Sequence, residues 1–195
     1  MFRRNILCTS FHIDRMNKTK LKIQGDRIYL REVELSDVNQ TYVDWLNDRE
    51  VNQFLETRFE VQTIDSVHKF VEKMIAKGDV FFLAICLKKN DRHVGNIKLG
   101  PINPIHKYAI VSLFIGDKNQ WGKGLATLAI NILSDYAFSE LTIHKLNAGC
   151  YANNIASIKA FEKVGFLIEG TSKNQYLYDG EYVDSINLTL INNEV

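Results

Sequence analysis

Along this chain the spacing of apolar residues changes period several times, and each change marks an element. From Arg27 to Val33 apolar and polar positions alternate, as in a half-buried strand. Leu35-Ser36-Asp37 then offers an N-cap with an acidic first turn. Val38, Tyr42, Trp45 and Leu46 follow on one helical stripe, which Asn47-Asp48 breaks. Thr63 caps a second helix in which Ile64, Val67, Phe70, Val71, Met74 and Ile75 share a face, and Gly78 stops it. The runs Val80 to Lys88 and Arg92 to Leu99, joined through Lys89-Asn90-Asp91, read as a hairpin. Pro101 and Pro104 punctuate the loop before a strand from about Lys107 to Ile115.

That strand, an amphipathic helix from Leu125 to Phe138 and a strand from Lys145 to Tyr151 form a β-α-β unit, which requires a parallel pair with a right-handed crossover. Asn153 or Asn154 caps a short helix ending at Gly165, and Phe166 to Glu169 returns as strand. Tyr178-Asp179-Gly180-Glu181 then turns into a last strand from Tyr182 to Ile191. The order predicts an α/β (α+β) fold with a mixed sheet and helices on both faces. At 195 residues the chain suits one domain, residues 21–195, long enough to bury a core without disulfides or metal. Residues 1–20 are basic and poorly periodic, and read as a loose tail or a misassigned start.

The formal net charge of +1 offers no surplus for a polyanion, and no run of Lys and Arg exceeds two residues, so nucleic acid is not an expected partner. Cys8, Cys86 and Cys150 are far apart and odd in number, which fits small core hydrophobes in a reducing cytoplasm better than a secreted disulfide framework. His12, His68, His93, His106 and His144 show no ligand spacing, so no metal is expected. The longest apolar run, Val80 to Leu87, has strand length, well short of a membrane helix.

Candidate chemistry concentrates between Leu113 and Phe138. An apolar strand ends at Ile115, Gln120 to Gly124 supplies two glycines one residue apart, and an amphipathic helix begins at Leu125. Glycine lets main-chain N–H groups come close to an anion, and the helix end adds about half a positive charge, to which Lys123 adds its own. Alone, such a loop is more often a turn than a phosphate site. It lacks the Gly-Lys-Ser/Thr ending of a nucleotide triphosphate loop and the glycine triplet of a dinucleotide fold.

A second segment changes that picture. Gln120-Trp-Gly-Lys-Gly-Leu-Ala126 together with Asn154-Ile-Ala-Ser157-Ile-Lys-Ala-Phe161-Glu-Lys-Val-Gly165-Phe166 resembles the two main signatures of the GNAT superfamily of N-acetyltransferases. The resemblance runs from Arg27 to Ile191 and is strongest to the branch holding the ribosomal-protein alanine and many amino-sugar acetyltransferases. It implies a mostly antiparallel sheet with a central parallel pair that splays apart, and acetyl coenzyme A as co-substrate. The pyrophosphate would rest on the N–H groups of Gln120, Trp121, Gly122, Lys123, Gly124, Leu125 and Ala126, supplemented by the Lys123 and Thr127 side chains, with Asn154 bordering the cofactor. Phe114 and Ile115 would lie beside the thioester.

Many relatives carry a tyrosine seven residues after the asparagine, where this chain has Phe161; Ser157, one turn earlier, is the expected group at the departing sulfur. For the acceptor, Trp45, Glu56 and Tyr178 are the candidates, with Arg58 and Phe59 nearby, while the general base stays open among Glu50, Glu56, Asp44, Asp48, Tyr151, Tyr178 and Asp184. The expected acceptor is a small primary amine, an amino sugar or nucleotide-linked amino sugar first. A protein N-terminus and a non-catalytic acyl-coenzyme-A module are the alternatives, and a homodimer is left open.

Overall fold

A computed structural model describes residues 21–193, so the expectation of a tail over residues 1–20 lies outside the described residues, as does Cys8. Eight strands form one sheet: β1 (Lys22–Gln24), β2 (Ile28–Glu32), β3 (Phe81–Leu87), β4 (His93–Asn103), β5 (Tyr108–Ile115), β6 (Lys145–Tyr151), β7 (Leu167–Tyr178) and β8 (Glu181–Ile191). Their spatial order is β1-β2-β3-β4-β5-β6-β8-β7. The helices are α1 (Gln40–Asn47), α2 (Arg49–Asn52), α3 (Ile64–Ile75), α4 (Leu125–Ser139) and α5 (Ile155–Glu162). None of them is long and apolar enough to cross a membrane.

Both faces of the sheet are covered, and two hydrophobic clusters record it. On one face Leu125, Ala129, Ile130, Leu133 and Ala137 of α4, with Ile158 and Phe161 of α5, pack against Leu83, Ile85, Ile97, Leu99, Val111 and Leu146. On the other, Tyr42, Val43 and Leu46 of α1 and Val67 and Val71 of α3 pack against Tyr29, Ala84 and Cys86. The mixed α/β architecture with helices on both faces is thus as expected.

The one parallel pair, β5 with β6, decides where a ligand can enter. It is in register over only three residue pairs, Tyr108↔Lys145, Ala109↔Leu146 and Ile110↔Asn147. Beyond Ile110, β5 stays bonded to β4 as far as Ile115, and β6 to β8 as far as Tyr151. The sheet therefore opens as a V between Val111–Ile115 and Ala148–Tyr151, at the carboxyl ends of two parallel strands joined by α4.

Several local readings change. Ser36 and Asp37 do not start the first helix: Leu35–Asp37 is a separate single turn, and Asn39 caps α1 by accepting from the Tyr42 N–H at 3.1 Å. The Asp37 carboxylate is drawn instead to Arg31, at 2.6 and 2.7 Å, and to the Glu34 N–H at 2.8 Å. Pro101 is not a loop residue but lies inside β4, where the register with β5 shifts between Leu99 and Ile102 and no ladder N–H is required. The strand expected over Phe166 to Glu169 extends through Tyr178, and β1 is an addition.

Burial pushes the Asp37 carboxyl up, but the Arg31 guanidinium and the Glu34 N–H outweigh it and hold it below the ordinary carboxylate range. A depressed folded-state value stabilises above the unfolded value, near pH 4, and that stability is lost as pH falls through the folded value. Asp37→Asn is accordingly expected to lower unfolding free energy by about 2 kcal/mol at pH 7. The gap to the parent protein closes below pH 4, read from urea denaturation at both pH values.

Candidate functional site

The loop between β5 and α4 is built from short-range bonds. Asp117 accepts from the Asn119 N–H at 3.0 Å, and its backbone oxygen accepts from the Gln120 N–H at 2.9 Å, closing a turn. The indole N–H of Trp121 then donates back to the Ile115 carbonyl at 2.8 Å. Gly122 and Gly124 follow with φ of 72° and 75°, the left-handed region that a Cβ disfavours. Gly124 is the N-cap of α4 and brings no side chain to it. The first intrahelical bond runs from the Leu128 N–H to the Gly124 carbonyl, so the amides of Leu125, Ala126 and Thr127 have no acceptor within the helix. This is a concave row of donors at a positive helix end, suited to a phosphate group.

Long-range contacts hold the loop in place. Arg27 donates to the Lys123 carbonyl at 2.8 Å, Arg92 pairs with Asp117 at 2.6 Å, and Lys118 meets both Asp48 and Glu50 at 2.7 Å. The Lys123 ammonium contacts only the Gln120 side chain among the described residues, at 3.5 Å. Arg27 was not legible in the sequence, since 96 residues separate it from its partner.

The same alternation that pairs β5 with β4 points other groups into the V. The Gly116 N–H donates to the Val94 carbonyl at 2.8 Å. Successive N–H groups of a strand alternate edges, so the Phe114 N–H also faces β4, while those of Leu113 and Ile115 face the opening. Across it, at the start of α5, Asn154 accepts from the Ser157 N–H at 3.2 Å. The Ser157 hydroxyl accepts from the Cys150 thiol at 3.4 Å, so its own proton is free to be donated. Burial pushes the Cys150 thiol up, partly offset by Ser157, which keeps it a neutral donor. Phe161 is turned away into the core, 2% exposed, with its ring 5.0 Å from that of Phe166.

At the end of β6 a second constellation converges on Tyr151. Its hydroxyl donates to Glu56 Oε1 at 2.9 Å and accepts from Arg58 Nη2 at 2.9 Å, while the same guanidinium nitrogen donates to the Leu177 carbonyl at 2.8 Å. Burial first, and then Glu56, raise the Tyr151 phenol, with Arg58 opposing them. Tyr176 stacks on Tyr151 with centroids 4.0 Å apart, and Phe54 stacks on Tyr178 at 5.4 Å. Tyr178 donates to the Gln53 side chain at 3.1 Å. Glu56 is mostly solvent-exposed, at 73%.

With this geometry in hand, the comparisons with known proteins are decisive on family. The model of the acetyltransferase (GNAT) domain matches residues 27–167. The chain belongs to this family. It is 29% identical to YjcK, named as a probable N-acetyltransferase, of Bacillus subtilis (strain 168), over 87% of this chain and 97% of that one. It is 31% identical to the spermidine N(1)-acetyltransferase of Escherichia coli (strain K12) over 51% of this chain and 53% of the relative. The crystal structure of spermidine N-acetyltransferase from Vibrio cholerae, in complex with coenzyme A and spermine, superposes with a TM-score of 0.76. It has 24% identity and covers 86% of this chain and 96% of that one.

As a GNAT member the chain is an acetyl-coenzyme-A-dependent N-acyltransferase. Of the residues singled out from sequence, Gln120 to Ala126, Ile115, Asn154 and Ser157 gather around the loop and the V, and Glu56 and Tyr178 gather around Tyr151. Phe114 shares the strand end with Ile115 but turns its N–H to β4 and its ring to Tyr42, with centroids 6.3 Å apart. Trp45 does not join the second group. Its ring packs on His93, with centroids 5.3 Å apart, and against Gly116, where a Cβ would lie 2.2 Å from the indole. It supports the end of β5 from behind. Among the open base candidates, Asp48 and Glu50 are engaged by Lys118, and Asp184 by Lys173 at 2.7 Å. Glu56 alone of the acidic candidates bonds Tyr151.

Proposed function

We propose that this GNAT enzyme moves an acetyl group from acetyl coenzyme A to the primary amine of a small hydroxyl-bearing molecule, an amino sugar first. The observation that carries this reading is the meeting of Glu56 with Tyr151 at the open end of the V, lined by Phe54, Tyr176 and Tyr178. Aromatic faces suit the C–H face of a sugar ring. One exposed carboxylate suits one amine, and Arg58, already seated over the Tyr151 ring at 5.1 Å, disfavours a string of cations.

The donors of the loop, from Gln120 to Ala126, with Lys123 and Thr127, would hold the pyrophosphate of the co-substrate. The Ile115 N–H, aimed into the V, would polarise the thioester carbonyl and stabilise the oxyanion. The amine nitrogen attacks that carbon, forming C–N as C–S breaks. Glu56 takes the first proton, which the ammonium sheds before attack, and passes it to water; the second, released from nitrogen as the amide forms, replaces the proton that the Ser157 hydroxyl gives to the departing sulfur. Ser157→Ala is expected to lower kcat about tenfold and to change its dependence on pH. An unchanged rate and profile in steady-state assays would remove Ser157 from the mechanism.

The spermidine acetyltransferase relatives favour a second reading, a polyamine acceptor. Thiol release measured over amino sugars, spermidine and a peptide with a free N-terminal alanine separates the readings. The largest kcat/KM is expected with an amino sugar. Tight coenzyme A binding with no thiol release across the panel would instead mark a binding module.

A further inference from the structure

Beside the Tyr151 group, the face of the sheet holds a notch whose composition the fold does not require. Gly149 lies on β6, in the stretch that β5 has left. It does not adopt positive φ, so its backbone conformation is open to any residue. Space does not demand glycine either. A Cβ built there would meet only the Ser185 and Tyr176 hydroxyl oxygens, each at 3.8 Å, an ordinary van der Waals contact. Glycine weakens a strand interior, and where neither conformation nor packing calls for it, it marks close approach by something else.

The two hydroxyls that flank the notch have no hydrogen-bond partner among the described residues, although Ser185 is only 2% exposed. Neither hydroxyl is sealed from solvent, so each is left to water that a ligand hydroxyl can displace. Among the described residues the polar side-chain atoms both partnerless and sealed are Thr57 Oγ1, Asn96 Oδ1 and Ser134 Oγ, none of them at the notch, where Gly149 is exposed. The charge next to Ser185 in the chain is already paired. Asp184, next to Ser185, is held by Lys173 and by the Asn174 N–H at 3.0 Å. Asn187 is tied to Ser172 at 3.0 Å.

We infer that Gly149, Tyr176 and Ser185 form a subsite for a neutral hydroxyl group of the acceptor. Each flanking hydroxyl can both donate and accept, so an alcohol fits and a charged group does not. Tyr176 reaches the notch from its stack on Tyr151, so the subsite adjoins the edge where Glu56 meets the amine. The inference rests on the acceptor reading above and adds the group that selects among amines.

The test is steady-state kinetics with glucosamine and with cyclohexylamine, an amine of similar ring size without hydroxyls, on the parent, Gly149→Ala and Tyr176→Phe. The ratio of kcat/KM for glucosamine to that for cyclohexylamine is expected to fall about tenfold in Gly149→Ala and about fivefold in Tyr176→Phe. A ratio unchanged in both variants overturns the subsite, as does a parent enzyme that turns over cyclohexylamine or spermidine but not glucosamine; in both cases acyl transfer to amines stands. No turnover of any amine removes the acceptor reading itself. A thermal melt within a few degrees of the parent distinguishes a filled notch from a damaged sheet.

Discussion

Replacing both Gly122 and Gly124 with valine is expected to raise the dissociation constant for coenzyme A by about a hundredfold or more in isothermal titration calorimetry. Neither residue is glycine for lack of room. A Cβ at Gly122 meets nothing within 4 Å, and one at Gly124 meets only the Arg27 guanidinium at 3.7 Å. What each position requires is φ near +72° and +75°, which a β-branched residue resists. The loop relieves that strain by rotating its peptide planes, and the row of N–H groups ahead of Leu128 loses its common focus. Lys123→Glu added to the pair reverses a charge carried by the loop itself and is expected to deepen the loss. Binding as tight as that of the parent would show that the pyrophosphate rests elsewhere. Circular dichroism of the unliganded variants controls for the fold.

Glu56→Gln is expected to lower kcat about 10²- to 10³-fold in steady-state assays while KM for acetyl coenzyme A stays within about twofold. The amide keeps the size of the carboxylate and can still accept from the Tyr151 hydroxyl, so what disappears is the capacity to take a proton. Tyr151→Phe has a smaller effect, about tenfold, because it leaves the carboxylate but frees it from its anchor and leaves Arg58 Nη2 with the Leu177 carbonyl alone. A Glu56→Gln enzyme with the parent rate would move the base to another group. The comparison of kcat with KM is informative because the loop belongs to the other arm of the V, after Ile115, while Glu56 meets the arm that ends at Tyr151.

The elements that came through from sequence are those in which one periodicity ran uninterrupted. The apolar stripe of α3 with its Thr63 cap, the unit β5-α4-β6, and the turn at Asp179-Gly180 each agree at every level, from residue preference to packing. Elements were lost where local pattern and tertiary demand part. β1 is three residues of alternating exposure that pair with Arg31, Leu30 and Tyr29, too short to stand out. β7 runs on past Glu169 through Lys173-Asn174-Gln175, where polar residues on both faces and register shifts against β8 hide a strand. The glycine loop was legible because its chemistry is consecutive in the chain. The proposed acceptor wall was legible only singly: Glu56, Tyr151 and Tyr178 stood out as candidates, but Glu56 and Tyr151 are 95 residues apart and Tyr178 and Gln53 125 apart, so no spacing paired them. The Gly149 notch is assembled from three strands, and no spacing announces it.

The segment from Asp48 to Glu56 is tied at both its ends to different halves of the molecule. Asp48 and Glu50 grip Lys118 of the glycine loop, and Gln53, Phe54 and Glu56 meet Tyr178 and Tyr151. On the roles proposed for the loop and for Glu56, retuning acceptor preference through this stretch is expected to disturb affinity for the donor molecule too, so that the two traits do not drift apart freely. The β7–β8 hairpin has no such double attachment among the contacts named above. An engineer, or natural selection, gains new acceptors most cheaply by varying Ser172, Tyr176 and Ser185 and leaving the helical segment alone.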